Sequence, residues 1–310
     1  MDSDWEKLYS NSKSRHYYFN RATGETTWEL PATKRAKLSE TDGDGKEKGE
    51  GKESSKETGS KIVIKPETMP SKRDLWTEPA LQVNEYMKGI YQSGKMTDRD
   101  GKEIKLASAV NPLEGKHIYN MVKENKFCNT LEVGLANGAS CIFICQAHVD
   151  NGIGGKHIAI DPFQDIQWND QAHTNLKNAG LGDKNIFKHI KLPGHVALPQ
   201  LLAEITAGTR PKFDFIFIDG FHTFDYTLLD FFYADLLLKV NGVILLDDIR
   251  HPGVRDVVRY VESNYDHYVY EKTNPARDTM GTFIKTRDDH RTTGHPSQHK
   301  WGHHVGTFNI

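Results

Sequence analysis

The sequence predicts an α/β fold, a doubly wound, mostly parallel seven-stranded sheet, preceded by a small three-stranded antiparallel β module. Three observations carry this. Short apolar runs alternate with amphipathic stretches of helical length from about residue 129 to residue 272. The runs are almost continuously apolar, as in strands buried on both faces of a parallel sheet. Four of them end at Gly134, Asp161, Asp219 and Asp247, which places these residues along one edge, where open α/β sheets bind ligands.

Each element has its own signal. Residues 129–134 form a short apolar strand ending in glycine. Residues 136–149 read as a helix whose broad apolar face holds Ala139, Cys141, Ile142, Cys145 and Val149. A second strand spans 156–161. Residues 168–182 read as a helix stopped by Gly180 and Gly182. A third strand covers 185–192, and a helix covers 195–206 with Pro199 near its start. The fourth strand, 213–219, precedes a strongly apolar helix over 225–240. A fifth strand at 242–248, a helix at 253–265 and a closing pair of strands at 267–272 and 281–286 complete the pattern.

The 310 residues carry a formal net charge of -2, and the pI is near 6.7. That balance argues against a protein built to coat nucleic acid. Cys128, Cys141 and Cys145 form no CxxC pair, so a reducing compartment and core packing are expected rather than a disulfide framework. The chain opens without an apolar signal region, and no run reaches the ~18 residues of a membrane span. A cytoplasmic location is expected. A nuclear one is open as well, because Lys34, Arg35 and Lys37 could serve import or be a solvated charge run.

Residues 34–60 hold seven basic and seven acidic residues, one leucine and no aromatic. Such a segment buries too little apolar surface to offset its ordering entropy. The expected organisation is a β module at 1–33, a flexible charged linker at 34–70, an α/β domain at 71–287 and a His-rich disordered tail at 288–310. The five histidines of residues 290–310 could also hold a metal adventitiously.

In the first module, Trp5 and Trp28 bracket Tyr17, Tyr18, Phe19 and Asn20, Gly24 supplies a turn, and Pro31 follows. This segment resembles a WW domain over its whole length. The resemblance implies that Trp5, Tyr18 and Pro31 buckle the sheet, and that Tyr17 and Trp28 form an exposed groove for a proline-rich protein. Flat aromatic faces suit a preformed polyproline II helix, which loses little entropy on binding. Arg21 stands where many members carry histidine, which leaves the ligand class open.

The edge of the α/β sheet carries the chemistry. The first loop, 132–140, has the pattern G-x-x-x-G and lacks the dinucleotide fingerprint. Gly134 and Gly138 let a ligand approach the backbone, or simply make a tight turn. Asp161 could accept hydrogen bonds from both hydroxyls of a ribose, or serve as a cap. A nucleoside without phosphates satisfies both, and S-adenosylmethionine is one. Asp219, Asp247 and Asp248 end neighbouring strands, and clustered acids repel unless a cation shares them. Hard oxygen ligands suit Mg²⁺ or a similar divalent cation. His222, three residues after Asp219, could take a proton from a metal-held hydroxyl.

The stretches 91–104, 131–140, 157–164 and 217–248, with the closing strands, resemble a class I S-adenosylmethionine-dependent methyltransferase of Rossmann-like fold, over roughly residues 75–287. Within it, the likeness is closest to the macrocin and sugar O-methyltransferase branch, and the acid-and-base spacing is similar to catechol O-methyltransferase. The resemblance implies cofactor contacts from Glu132, Gly134, Gly138, Ser140 and Asp161. It also implies metal ligation by Asp219, Asp247 and Asp248, and His222 as general base. His195 or Val196 would lie near the adenine. Asn137 replaces a common aromatic, and Asp248 replaces the asparagine of the catechol enzyme.

These readings converge on a metal-dependent O-methyltransferase acting on a hydroxyl-bearing small molecule, with a WW domain recruiting it to a proline-rich partner and no membrane involved. A sugar, a polyketide-like metabolite or a phenol would suit the metal, and a protein or RNA hydroxyl is also open. A catalytically silent scaffold working through its WW groove is the competing reading; a Rossmann-like oxidoreductase is a third, weakened by the glycine pattern. Trp168 could cover the site or pack in the core. The loop 95–103 could close over the acceptor or be a surface hairpin.

Overall fold

Apolar runs and helical stretches alternate in space as they do in sequence. The computed structural model describes residues 82–182, 185–272 and 279–289, together with three N-terminal strands as backbone. Contacts divide the chain into two units at Glu57 and Thr58. The first contains β1 (Trp5–Ser10), β2 (Arg15–Asn20) and β3 (Thr26–Thr27), antiparallel in the order β1-β2-β3. Tyr17 lies on β2 opposite Leu8, and Tyr18 pairs with Lys7 and Thr27. Arg21, Trp28, Pro31, the 34–70 linker and residues 290–310 lie outside the described residues.

The second unit begins with α1 (Glu85–Ser93), whose N-terminus is capped by the Asn84 side chain accepting from the N–H groups of Tyr86 and Met87. The loop 95–103 belongs to a hairpin, β4 (Lys95–Thr97) and β5 (Glu103–Lys105). Asn169 donates to Asp98 and Asp100 and so ties that hairpin to the loop after the second sheet strand. Helix α2 (Pro112–Glu124) opens with a capping box between Asn111 and Glu114 and with Pro112 in its first turn.

The sheet then forms from β6 (Asn129–Val133), β7 (Lys156–Ile160), β8 (Phe187–Ile190), β9 (Phe213–Ile218), β10 (Leu238–Leu246), β11 (Tyr268–Lys272) and β12 (Gly281–Lys285). Its order is β11-β12-β10-β9-β6-β7-β8. Five adjacent strands pair in parallel, and β12 runs the other way, antiparallel to both β10 and β11. The connecting helices are α3 (Ala139–Asn151), α4 (Gln171–Asn178), α5 (Gly194–Thr206), α6 (Phe224–Leu237) and α7 (Pro252–Asn264).

Two helices start later than their sequence patterns. Helix α3 begins only at Ala139, because Gly134, Ala136 and Gly138 all have positive φ. Helix α4 begins at Gln171, because Asn169 and Asp170 take left-handed conformations. Strand β10 starts earlier than its pattern suggests, at Leu238, and shifts register against β9 before Val243.

Both faces of the sheet are covered. Phe215, Phe217, Val243 and Leu245 pack with Ile118, Val122, Phe143 and Ile144 on one side. Leu131, Ile216, Ile218 and Leu246 pack with Leu198, Phe231, Val257 and Val261 on the other. Cys141 and Cys145 are buried in the first layer. The acid inside β9, Asp214, is satisfied: it accepts from the N–H groups of Cys128 and Asn129 and pairs with Lys239 at 2.5 Å.

Candidate active site

Register sets the site. Val133 is level with Ile160 and with Ile218, and Ile218 is level with Leu246. The next residues, Gly134, Asp161, Asp219 and Asp247, therefore leave the sheet at one edge. Each is held by a neighbouring strand end: Gly134 N–H donates to Ile160, Asp161 to Ile190, Asp219 to Val133 and Asp247 to Ile218. The chain order reverses between β6 and β9, which is where ligands bind in such sheets. A cavity of about 640 Å³ opens there.

Gly134 and Gly138 shape the first loop. Gly134 has φ +96°, and a Cβ on it would lie 1.9 Å from the carbonyl oxygen of Asp219. Gly138 has φ +86°, and its Cβ would lie 2.9 Å from Cα of Ala172. Both positions exclude a side chain on conformation and on space. Asp161 turns its carboxylate into this loop, accepting from Leu135 and Ala136 through Oδ2 and from Phe163 through Oδ1. Asn137 donates to the carbonyls of Ala107 and Ser108, which joins the loop to a segment of the cavity wall.

Gly134 and Asp161 line the cavity, whereas Glu132, Gly138 and Ser140 are not among its lining residues. Glu132 is fully buried, accepts from the Ser140 hydroxyl at 2.8 Å, and has His157 Nε2 3.2 Å away. His195 and Trp168 line the wall; Val196 does not and is exposed. The 95–105 hairpin contributes no lining residue.

The acids converge unequally. Oxygens of Asp219 and Asp248 and a nitrogen of His222 all lie within 4.8 Å of one another. His222 Nε2 is 3.3 Å from Asp219 Oδ1 and 3.2 Å from Asp248 Oδ2. Asp247 stands outside this group. Its Oδ1 accepts from the N–H of Asp248 at 2.8 Å, although the residue lines the cavity. Asp248 has φ +53°, a left-handed conformation that a short acid tolerates and that costs some strain. The two hard carboxylate oxygens are donors that fit a divalent cation, and the imidazole stands beside them.

Burial pushes the Asp219 carboxyl up to about 6, against the pull of its hydrogen bond to His222. The same hydrogen bond raises His222, and its attraction to both acids adds to this. Burial, reinforced by Asp219 and Glu114, holds Asp247 well above the usual carboxylate range.

Sequence reasoning missed two wall carboxylates. Glu114 accepts from the N–H of Asn111 and from the Thr279 hydroxyl, and its charge is felt by Asp219 and Asp247. Its capping-box spacing marks a helix start but says nothing of a cavity. Asp230, on α6, is a buried wall residue whose carboxyl burial pushes up to about 7. An acid in the apolar run of α6 was the available signal.

Comparison with known proteins adds the following. Residues 131–249 match a family described as a methyltransferase domain, and residues 2–31 match the WW domain. No curated protein matches the chain. Among solved structures, the chain is similar to an O-methyltransferase from Bacillus cereus in complex with S-adenosylhomocysteine, at 19% identity over 67% of this chain and 92% of that one, TM-score 0.49. It is similar to the O-methyltransferase TomG from Streptomyces achromogenes, involved in tomaymycin synthesis and in complex with S-adenosylmethionine. That match has 18% identity over 68% of this chain and 91% of that one, TM-score 0.46. It is also similar to the methyltransferase PaMTH1 from Podospora anserina, bound to S-adenosylhomocysteine, at 16% identity over 68% and 89%, TM-score 0.49. These matches do not single out the sugar O-methyltransferase branch.

Proposed function

We propose that this chain, which joins a WW domain at residues 2–31 to a methyltransferase domain at residues 131–249, is a metal-dependent O-methyltransferase using S-adenosylmethionine. The observation that carries the reading is the meeting of Asp219, His222 and Asp248 in one cavity with Gly134 and Asp161. Bound S-adenosylmethionine supplies an electrophilic methyl group, so the acceptor oxygen gains a bond to carbon as the carbon–sulfur bond breaks. Gly134 gives the cofactor close backbone approach. Asp161 keeps acceptor capacity for a ribose hydroxyl beyond the three N–H groups it already accepts. Glu132, Gly138 and Ser140 support the loop from behind the wall.

Asp219 and Asp248 would hold a Mg²⁺ ion or similar divalent cation, with Asp247 drawn in as a third ligand, and the ion would supply Lewis acidity to an acceptor hydroxyl. With its carboxylate neighbours so engaged, His222 takes the hydroxyl proton at Nε2. The WW domain recruits the enzyme to a proline-rich protein through Tyr17 and Trp28, and the 34–70 segment serves as tether. Among the described residues, no helix is long and apolar enough to cross a membrane.

The test is methyl transfer from labelled S-adenosylmethionine to a panel of sugars and phenols, followed by mass, with Mg²⁺ and with chelator. Metal-dependent product is expected. No product on any acceptor, together with no binding of S-adenosylhomocysteine, would leave the scaffold reading. For the WW domain, Trp28→Ala should abolish capture of proline-rich peptides and leave methyl transfer intact.

A further inference from the structure

Six carboxylates line the cavity: Glu114, Asp161, Asp219, Asp230, Asp247 and Asp248. Among the described residues, no lysine or arginine joins them in the wall, and the imidazoles of His195 and His222 are the basic groups there. Five of the six acids have internal work. Glu114 and Asp161 accept hydrogen bonds that hold α2 and the glycine loop. Asp219 and Asp248 face His222, and Asp247 accepts from the Asp248 N–H.

Asp230 differs. It is 4% exposed, and its carboxylate forms no hydrogen bond or ion pair with another described residue. Two glycines make its slot. A Cβ on Gly194 would lie 2.6 Å from Oδ1, and one on Gly220 would lie 3.4 Å from Oδ2. Gly194 opens α5 and Gly220 follows Asp219, so two separate loops of the site leave room for this one carboxylate. A buried carboxylate without a partner is costly, and burial alone pushes this one up to about 7. A counter-charge arriving with the ligand would remove that cost.

We propose that Asp230 binds an ammonium group of the ligand that fills this cavity. The proposal rests on the methyltransferase reading above. Two reactants of that chemistry can bring the ammonium: the methionyl amine of the methyl donor, or an amine on the hydroxyl-bearing acceptor. Phosphorylated, carboxylated or polyanionic acceptors meet the combined field of the wall acids and are selected against.

Calorimetry on the full chain, wild type and Asp230→Asn, separates the sources. S-adenosylhomocysteine carries the amine; 5′-methylthioadenosine shares its adenosine and thioether and lacks it. If the donor brings the ammonium, the variant binds S-adenosylhomocysteine about ten- to a hundredfold more weakly and methylthioadenosine unchanged. If the acceptor brings it, both nucleosides bind unchanged. The same loss then falls on dopamine, but not on 4-methylcatechol, added with Mg²⁺ to enzyme saturated with S-adenosylhomocysteine.

Equal affinities in both proteins for all four probes overturn the proposal. So does an equal loss for the amine and amine-free member of each pair, which marks general damage. Should Asp230→Asn not fold, Gly194→Ala, whose Cβ enters the slot beside Oδ1, is read in the same assay with the same outcomes. A wild type that binds neither nucleoside sinks the methyltransferase reading itself, and this proposal with it.

Discussion

The imidazole of His222 reaches across two strand ends to Asp248, Nε2 to Oδ2 at 3.2 Å. His222 follows β9 and Asp248 follows β10, and these strands are parallel neighbours with Ile218 level with Leu246. The contact depends on that register, because a slip by one residue would turn the strand-end side chains to opposite faces.

Removing the imidazole should therefore separate proton transfer from binding. His222→Ala is expected to lower turnover by about 10²- to 10⁴-fold while leaving the affinity for S-adenosylhomocysteine within a factor of about two of wild type, as an uninvolved residue does. Steady-state rates beside calorimetry check this. Unchanged turnover would remove His222 from the mechanism.

Metal binding should follow the two carboxylates that converge. Asp219→Asn and Asp248→Asn are each expected to weaken Mn²⁺ binding, read by electron paramagnetic resonance, by about tenfold or more. Asp247→Asn reports whether a bound ion also draws in the acid that stands apart. Wild-type affinity in the Asp219 and Asp248 variants would rule out a cation at this edge.

Gly134→Ala tests the approach of the glycine loop to β9. Its Cβ would lie 1.9 Å from the Asp219 carbonyl oxygen, at a φ of +96°. One of the two segments must move, so both thermal stability and S-adenosylhomocysteine affinity should fall, the former by about 2 kcal/mol or more. A variant that melts with the wild type would show that the loop has slack.

Away from the site, Lys285 on β12 is 2% exposed and donates to the Asp235 and Leu238 carbonyls at 2.7 and 3.3 Å. It also lies 3.1 Å from the Asp235 carboxylate. Lys285→Met leaves that buried charge without its ammonium and should cost about 3–5 kcal/mol in urea unfolding. Adding Asp235→Leu should recover part of the loss. Strictly additive losses would mean that the pair is not coupled.

Stability should also depend on pH through His148. Burial, with the neighbouring His157, holds its imidazole down to about 3. The unfolded chain takes up this proton near pH ~6.5. The contribution of neutral His148 is thus complete above that pH and is lost as pH falls toward 3, at roughly 1.4 kcal/mol per unit inside the window. Urea unfolding of wild type and His148→Gln at pH 7, 6 and 5 should show the wild-type advantage shrinking. A constant difference would contradict it.

The fold was legible because apolar runs bounded by glycine and acid repeat with helical stretches between them. The place of Gly134, Asp161, Asp219 and Asp247 at one edge followed from their being the first polar residues after buried strands. Helix starts were less legible. Asn169 and Asp170 take left-handed conformations that nothing in an amphipathic pattern requires. Glu114 and Asp230 escaped notice because each reaches the cavity from a helix packed there by other parts of the chain. Asp247 and Asp248 are adjacent in sequence and looked equivalent, yet the positive φ of Asp248 separates their directions.

The order of residues alone determined the strand and helix sequence and the acids that leave the sheet. Those features depend on periodicity and on the cost of burying polar groups, which are local properties of a chain. Only the tertiary structure decided which acids meet His222, which carboxylate stands without a partner, and which residues lie behind the wall rather than on it. Those outcomes depend on register, crossing helices and the backbone angle of single residues, all of which are set by packing between segments distant in sequence.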